Sequence, residues 1–322
     1  MSEGPEFRPG ARRGVIVARA AMLARCREFF AARGVLEVET PVLAQATVTD
    51  VHLAALATRI AGRPDPYYLQ TSPEYAMKRL LAAGSGDIYQ VCKVFRDGES
   101  GRLHNPEFTM LEWYRVGFDA AALMDEVAAL LALLLGARLA APAERVTYQG
   151  AFGRVLGVDP LAAPVDALLD LARRHAGAVD VGTERDVILD LLMGAVVGPK
   201  LGRGRVTFVH DYPASQAALA RLNPSNPAVA ARFEAYVEGL ELCNGFHELA
   251  DAAEQRRRFV ADGKLRASRG LPVPPVDERL LAALAAGLPD CAGVALGLDR
   301  VLMLATGCSS IGEVLTFTVE HA

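Results

Sequence analysis

Cysteine is scarce in this sequence of 322 residues, and its spacing forms no known pairing motif. The five cysteines are odd in number and lack a Cys-x-x-Cys pair: Cys26, Cys92, Cys243, Cys291 and Cys308. This distribution predicts neither a disulfide framework nor a zinc knuckle. It is typical of proteins of the reducing cytoplasm.

Excess positive charge and long hydrophobic runs are also missing. The net charge is −4, so the chain lacks the basic field that drives nonspecific nucleic-acid binding. The longest apolar run, residues 127–137, is about half of the ~20 residues that span a membrane. The N-terminus is polar and interrupted by Pro5 and Pro9, unlike a signal peptide. We therefore expect a cytoplasmic protein without a membrane partner.

Common catalytic and nucleotide-binding motifs are absent as well. There is no G-x-x-x-x-G-K-[ST], no G-x-G-x-x-G and no G-x-S-x-G, and His247-Glu248 is not followed by the second histidine of a zinc site. If the chain binds a nucleotide, it uses another device.

The predicted strands lie mostly beside other strands in the chain. Residues 88–96 and 107–115 are predicted to form a long antiparallel hairpin, and Ser72-Pro73-Glu74 has the residue types that begin a helix. Further helices are predicted at 15–33, 120–135, 165–175, 184–197, 252–269 and 278–286, and further strands at 35–40, 67–70, 205–211, 232–244 and 293–297. This order favours an α+β fold with a largely antiparallel sheet. We predict one domain over residues 1–322, with a helical insertion around 119–200.

The predicted hairpin brings chemically useful side chains together. Alternation along a strand places Phe108, Met110, Glu112 and Tyr114 on one face, and Arg96 ends the facing strand. Arginine suits a phosphate, and a carboxylate beside a tyrosine suits an ammonium group. The same pattern is also that of a solvated sheet edge with a paired arginine.

Two other segments carry candidate site residues. Glu241 and Glu248 are separated by a predicted bend at Asn244-Gly245 and together suit Mg²⁺, although two unrelated surface carboxylates would show the same spacing. Residues 293–300 combine glycines with Arg300 at a helix start, which suits a purine and a phosphate but also a packed strand with a capped helix.

In order along the chain, these segments resemble the three signature motifs of class II aminoacyl-tRNA synthetases, in the lysyl branch. Residues 34–41 resemble motif 1, Phe95-Arg96 with residues 104–114 resemble motif 2, and residues 293–300 resemble motif 3. The resemblance covers nearly the whole chain. It implies the class II catalytic fold, an antiparallel sheet flanked by helices, and a homodimer formed through motif 1.

Within that branch the chain is most similar to the elongation factor P lysine ligases, truncated paralogues that attach β-lysine to a lysine of elongation factor P. About fifteen residues precede the motif 1 helix, where a lysyl synthetase has an oligonucleotide-binding barrel of ~100 residues. No anticodon recognition is therefore expected. Ser72-Pro73-Glu74 replaces the usual Ala-Pro-Glu, and Ala295 replaces a motif 3 glycine.

The resemblance implies an ATP-dependent ligase that uses Mg²⁺. The substrate carboxylate would displace pyrophosphate to give an acyl-adenylate, and the lysine amine of the partner would then release AMP. Arg96 would hold the α-phosphate and Arg300 the γ-phosphate, and these two are the implied catalytic residues. The implied residues for the amino acid are Ser72, Pro73, Glu74, Glu112, Tyr114, Glu248 and Ala295; for ATP they are Arg96, Asp97, Gly98, Asn105, Glu241, Leu242, Gly297 and Arg300; for the metal they are Glu241 and Glu248.

Two further positions depart from the synthetase pattern. Gly98 occupies the place of a motif 2 glutamate, which Glu99 could replace, and Ala250 stands where synthetases often have asparagine. Glu254 could contribute to the substrate site or form a capping box with Asp251.

The sequence leaves two alternatives to the ligase open. One is a minimal lysyl-tRNA synthetase-like enzyme that makes lysyl-adenylate for tRNA or for dinucleotide synthesis, and the other is a silent pseudo-synthetase acting as a binding module. Pyrophosphate exchange separates the second from both enzymes. Transfer of the amino acid to elongation factor P rather than to tRNA separates the ligase from the first.

Overall fold

The computed structural model describes residues 7–177 and 182–322. Residues 1–6 of the polar N-terminus and residues 178–181 of the predicted helical insertion lie outside that part. The chain forms two compact units: unit 1 contains residues 7–117 and 249–322, and unit 2 contains residues 118–248.

The secondary structure is mixed, as predicted. The α-helices of the described residues are α1 (Arg13–Ala31), α2 (Glu74–Ala82), α3 (Ala120–Leu135), α4 (Tyr148–Leu156), α5 (Val165–Ala176), α6 (Arg185–Leu192), α7 (Ala252–Ser268), α8 (Glu278–Gly287) and α9 (Leu298–Thr306). The strands are β1 (Leu36–Glu37), β2 (Leu43–Ala44), β3 (Ala57–Thr58), β4 (Tyr67–Leu69), β5 (Ile88–Phe95), β6 (Glu107–Val116), β7 (Glu144–Thr147), β8 (Thr207–Pro213), β9 (Leu222–Asn223), β10 (Asn226–Val237), β11 (Leu240–His247) and β12 (Cys291–Gly297).

Unit 1 is built on four strands in the order β1-β5-β6-β12. The predicted hairpin is confirmed: β5 and β6 are antiparallel, with a register from Ile88 opposite Tyr114 to Phe95 opposite Glu107. β12 continues the antiparallel pairing on β6, whereas β1 pairs with β5 in parallel. A second, three-stranded sheet has the order β2-β4-β3.

Apolar side chains fix the helices of unit 1 onto this sheet. The buried face of α1 carries Met22, Cys26, Phe29 and Phe30, and the Phe30 ring stacks on Tyr89 of β5 with centroids 4.4 Å apart. A separate core cluster joins α2, α7 and α8 to the strands through Met77, Leu81, Ile88, Tyr114, Phe259, Leu280, Leu281, Leu284, Leu288 and Cys291. Burial of such side chains is the main force that holds the site residues of unit 1 in place.

Unit 2 contains α3 to α6 and a sheet in the order β11-β10-β8-β7, with β9 paired to β10. The β7–β8 pairing is parallel and the others are antiparallel. α6 continues through a π-helical turn at Met193–Val197, so the predicted helix 184–197 is present but not uniformly α-helical.

Helix α3 is long and strongly apolar. The segment Ala120–Arg138 is the one stretch of the described residues long and apolar enough to cross a membrane, and 44% of it is buried in the fold. The core helix of a folded protein passes the same length and composition test, so α3 gives little support for a membrane segment.

One strand prediction and one bend prediction are wrong. The predicted strand 232–244 is a hairpin, because Glu238 and Gly239 both have positive φ (50° and 77°) and reverse the chain between β10 and β11. The predicted bend at Asn244-Gly245 is absent: β11 runs straight through both residues. Gly245 is needed for packing instead, since a Cβ there would lie 2.4 Å from the Phe233 ring.

Candidate active site

Arg96 lies at the end of β5, and its guanidinium is held from two sides. It lies 5.1 Å from the centroid of the Phe108 ring, and its Nη1 is 3.6 Å from Glu99 Oε1. Its Nε–H is buried and has no hydrogen-bond partner among the described residues. A buried cationic donor without a protein acceptor is suited to an anionic group such as a phosphate.

The loop after Arg96 explains one departure from the synthetase pattern. Gly98 has φ +76°, a left-handed conformation that favours glycine over glutamate. Glu99 is directed to Arg96, so its carboxylate lies beside the guanidinium. The backbone N–H of Asp97 donates to Ala54 O at 2.8 Å, which fixes the start of this loop.

Asn105 closes the loop and is almost fully buried. Its Nδ2 donates to Glu107 O at 2.6 Å, and its Oδ1 accepts the backbone N–H of Val319 at 3.3 Å. The backbone N–H of Ile311 also donates to Arg102 O at 2.8 Å. The loop is thus braced by the C-terminal segment of the chain.

Arg300 lies in the first turn of α9 and reaches the same loop. Its Nη2 is 2.7 Å from His104 Nε2, and its Nε donates to Leu103 O at 3.5 Å. Burial, followed by the charge of Arg300, lowers the pKa of His104. The imidazole is therefore neutral near pH 7, with Nε2 as the acceptor from Arg300.

A buried carboxylate lies further along β6. Glu112 is 2% exposed; Ser72 Oγ donates to its Oε2 and Tyr114 Oη donates to its Oε1, each at 2.7 Å. Burial and then the charge of Glu74 raise the pKa of Glu112 to about 7, whereas the two hydrogen bonds lower it. Ala295 of β12 lies directly opposite Glu112 in the sheet.

Ser72 joins this carboxylate to the start of α2. Its Oγ also accepts the backbone N–H of Glu74 at 3.0 Å, so one hydroxyl caps the helix and holds Glu112. The Ala-Pro-Glu of the synthetase pattern could make neither bond. Pro73 precedes the helix and has no side-chain cap bond of its own.

This cluster also contains a cation that the sequence patterns above did not predict. Lys78 is 1% exposed, and its Nζ lies 2.6 Å from Glu74 Oε1. A spacing of four residues on a helix is the signal that could have identified the pair. A buried ammonium beside Glu74 limits the negative charge that the cluster presents to a ligand.

The residues of the other candidate pair lie in unit 2. The register of β10 on β11 pairs Ala235 with Cys243 but Tyr236 with Glu241, so β11 carries one extra residue, a β-bulge at Leu242. The bulge places Glu241 on the sheet face of Asn244, and regular alternation after Asn244 places Glu248 on that face too. Without the bulge, a spacing of seven would separate the two glutamates onto opposite faces.

This pair fits a metal site that a nucleotide would complete. Within residues 7–177 and 182–322, no group of three or more His, Cys, Asp or Glu side chains is placed to hold a metal ion. Mg²⁺ is commonly held by one or two carboxylates together with substrate phosphates and water. Two carboxylates on one face are therefore the number of protein ligands that such a site requires.

Glu254 makes its contacts within α7. Asp251 caps α7 through bonds from the N–H groups of Ala253 and Glu254, and the Glu254 carboxylate binds Arg257 and Arg258. Helix capping and ion pairing on α7 thus account for both acidic residues.

Comparison with known proteins decides the family. The family model described as "tRNA synthetases class II (D, K and N)" matches residues 7–321. This chain belongs to that family. The segments that resemble motif 2 and motif 3 are the β5–β6 hairpin with its loop, and β12 with the first turn of α9.

Curated relatives of this class II member match over its full length. A protein named elongation factor P--(R)-beta-lysine ligase from Klebsiella pneumoniae (strain 342) is 52% identical over 328 residues, covering 100% of both chains. A protein of the same name from Salmonella dublin is 51% identical, again over 100% of both chains.

The structure brings the predicted residues together in groups. In unit 1, Ser72 and Tyr114 both donate hydrogen bonds to Glu112, and Ala295 lies opposite Glu112 in the sheet. The loop 97–105 and Arg300 form a second group in unit 1. In unit 2, Leu242 is the bulge residue that aligns Glu241 with Glu248.

Proposed function

We propose that this chain is an ATP-dependent ligase that activates (R)-β-lysine, or lysine, as the acyl-adenylate and transfers it to a lysine side chain of elongation factor P. AMP and pyrophosphate are the other products, and the reaction takes place in the cytoplasm. The proposal rests on the full-length similarity to relatives that carry this name. The buried group of Ser72, Glu112 and Tyr114 is the observation that carries it for this chain's own residues.

The acidic group is suited to the amino groups of a diamino acid. Glu112 and Glu74 supply carboxylates, and Tyr114 and Ser72 fix the orientation of Glu112. Pro73 and Ala295 of unit 1 are also proposed to bind the amino acid, as is Glu248 of unit 2. The Ala295 methyl group, opposite Glu112, would restrict the poses open to an α-amino acid.

The ATP site is proposed on the basic residues and the loop between them. Arg96 binds the α-phosphate, Arg300 binds the γ-phosphate, and Asn105 contacts adenine with the backbone of Asp97 and Gly98. In unit 1, Gly297 is also proposed to bind the nucleotide. In unit 2, the proposed nucleotide-binding residues are Glu241, Leu242 and Glu248. Glu241 and Glu248 would hold Mg²⁺, which would neutralise charge on the phosphates.

These residues act by orientation and electrostatics. The substrate carboxylate oxygen forms a bond to the α-phosphorus as the bond to pyrophosphate breaks, and Arg96 stabilises the charge that develops there. The partner's lysine amine then attacks the acyl carbon, loses a proton and releases AMP, leaving an amide. No residue forms a covalent intermediate, and positioning alone can contribute ~7–11 kcal/mol.

Two assays on the purified chain test this function. We expect β-lysine-dependent exchange of labelled pyrophosphate into ATP, and transfer of labelled β-lysine to elongation factor P but not to lysine tRNA. Elongation factor P with its acceptor lysine changed to arginine is the matched control and should remain unlabelled. Exchange without transfer to elongation factor P would contradict the proposed acceptor, and no exchange would contradict the activity.

The raised pKa of Glu112 predicts a pH dependence. Because the ionised carboxylate binds an ammonium group, kcat/KM for β-lysine should fall as the pH drops through about 7. Glu112→Gln should lower kcat/KM at high pH and flatten this acid limb. An unchanged limb in the variant would assign it to another group.

The same raised pKa has the opposite effect on folding stability, which should fall as the pH rises. Since it lies above the usual value of 4.5, the stability linked to Glu112 is fully present below that value and is lost as pH rises through about 7. Urea unfolding of the protein against Glu112→Gln, at about pH 5 and about pH 8, measures this difference.

We also propose a homodimer formed through motif 1. Apolar side chains are exposed on α1 and on the segment after it: Val17 is 53% exposed and Leu36 is 56% exposed. Light scattering at micromolar concentration should give twice the chain mass, and Leu36→Asp should shift the protein toward the monomer. Leu133→Asp, at an exposed apolar position of unit 2, is the control expected to leave the mass unchanged. A monomeric wild-type protein would contradict the proposal.

A further inference from the structure

The first turn of α9 contains a buried carboxylate next to Arg300. Asp299 is 1% exposed, and its Oδ2 accepts the backbone N–H of Thr109 of β6 at 2.6 Å. Its Oδ1 forms an ion pair with Arg19 of α1. Arg19 also donates to Val314 O at 3.0 Å.

This arrangement fixes the turn from two directions. Consecutive helical residues point about 100° apart, and here Asp299 is bound to β6 and α1 while Arg300 is bound to the loop at His104 and Leu103. The contacts of Asp299 and those of Arg300 together fix the rotation of this turn about the helix axis. They thereby fix the position from which the Arg300 side chain extends.

The position of the Asp299 carboxylate depends on its ion pair with Arg19. A buried carboxylate is tolerated only when it is paired and hydrogen-bonded. Thr109 offers one neutral donor, so the guanidinium of Arg19 is the cation that pairs with this buried carboxylate and directs it at β6.

We propose that Asp299 and Arg19 are positioning residues that hold Arg300 in its nucleotide-binding orientation. The inference rests on the proposed function, in which Arg300 binds the γ-phosphate of ATP. Arg19 touches neither nucleotide nor amino acid; it acts through Asp299 and the first turn of α9.

The first test compares two arginines of the same helix. Arg19→Met should raise KM for ATP in pyrophosphate exchange by between about 10- and 100-fold, since small misplacements of binding groups have effects of that size. KM for β-lysine should stay within about twofold. Arg27→Met is the matched control, because the ion-pair partner of Arg27 is the exposed Glu37 of β1; its kinetics should equal those of wild type.

A double-mutant cycle separates positioning from general loss of stability. In an Arg300→Ala background, Arg19→Met should add little to the KM defect, because residues that act through one another are not additive. Additive effects, or equal rises of KM for ATP and for β-lysine, would overturn the proposal. Asp299→Asn, which keeps the size of the side chain, provides a second variant if Arg19→Met does not fold.

A binding measurement keeps this inference distinguishable from the proposed function. Titration calorimetry with a non-hydrolysable ATP analogue, without amino acid, should show the same loss of affinity in Arg19→Met and none in Arg27→Met. If wild type binds the analogue but does not exchange pyrophosphate, the proposed function fails while the positioning role is still measured. Unaltered analogue affinity in both Arg19→Met and Asp299→Asn would refute the positioning role.

Discussion

Arg96→Ala is expected to lower the rate of β-lysine-dependent pyrophosphate exchange by about 10²- to 10³-fold, the usual effect of removing one donor from a developing charge. The Nε–H of Arg96 is buried and has no acceptor in the part of the chain that the structure describes, and the Phe108 ring and Glu99 restrict the orientation of the guanidinium. It is therefore oriented before a phosphate arrives. Arg96→Lys should recover only part of the rate, because lysine keeps the charge but not the planar fork.

A cation of the same strand is the control. Lys93 of β5 is half-exposed and pairs with Glu107, with 3.3 Å between Nζ and Oε1. Lys93→Met should keep the rate within about twofold. An Arg96→Ala enzyme that retained a tenth of the wild-type rate would contradict the catalytic role of Arg96.

Glu248→Gln is expected to reduce exchange by about 100-fold or more, since removing a buried charge from its ligand costs ~3–5 kcal/mol. Glu248 is 1% exposed, and glutamine preserves its volume while losing its charge. The thermal unfolding curve should change little. Glu238→Gln, in the exposed turn between β10 and β11, is the matched control and should behave as wild type.

The two proposed roles of Glu248 give different kinetics. If Glu248 holds Mg²⁺, the variant should need a higher Mg²⁺ concentration for half-maximal rate; if it binds the amino acid, KM for β-lysine should rise instead. Normal exchange under both titrations would remove Glu248 from the site.

The sequence predicted the elements whose patterns are local. The β5–β6 hairpin, α3 and the start of α2 all follow from alternation, helical periodicity and capping residues within a short window. These features needed no knowledge of distant parts of the chain.

The errors arose where a distant contact or a rare conformation decides the structure. Glu-Gly at 238–239 is a weak turn signal, so the β10–β11 reversal was read as one strand. Asn-Gly at 244–245 is a strong turn signal, yet Gly245 serves to accommodate the Phe233 ring. The pairing of Asp299 with Arg19, 280 residues apart, leaves no trace in spacing.

The bulge at Leu242 bears on how the two glutamates can be recognised in other chains. Strand geometry repeats every two residues, so a flat strand would need an even interval to bring both carboxylates to one side. Here the interval is odd, and the single unpaired residue restores the phase. A pattern search that demands a spacing of seven would overlook a homologue whose two glutamates are six residues apart on a strand without a bulge. Both chains would nevertheless present two carboxylates on the same face of the sheet.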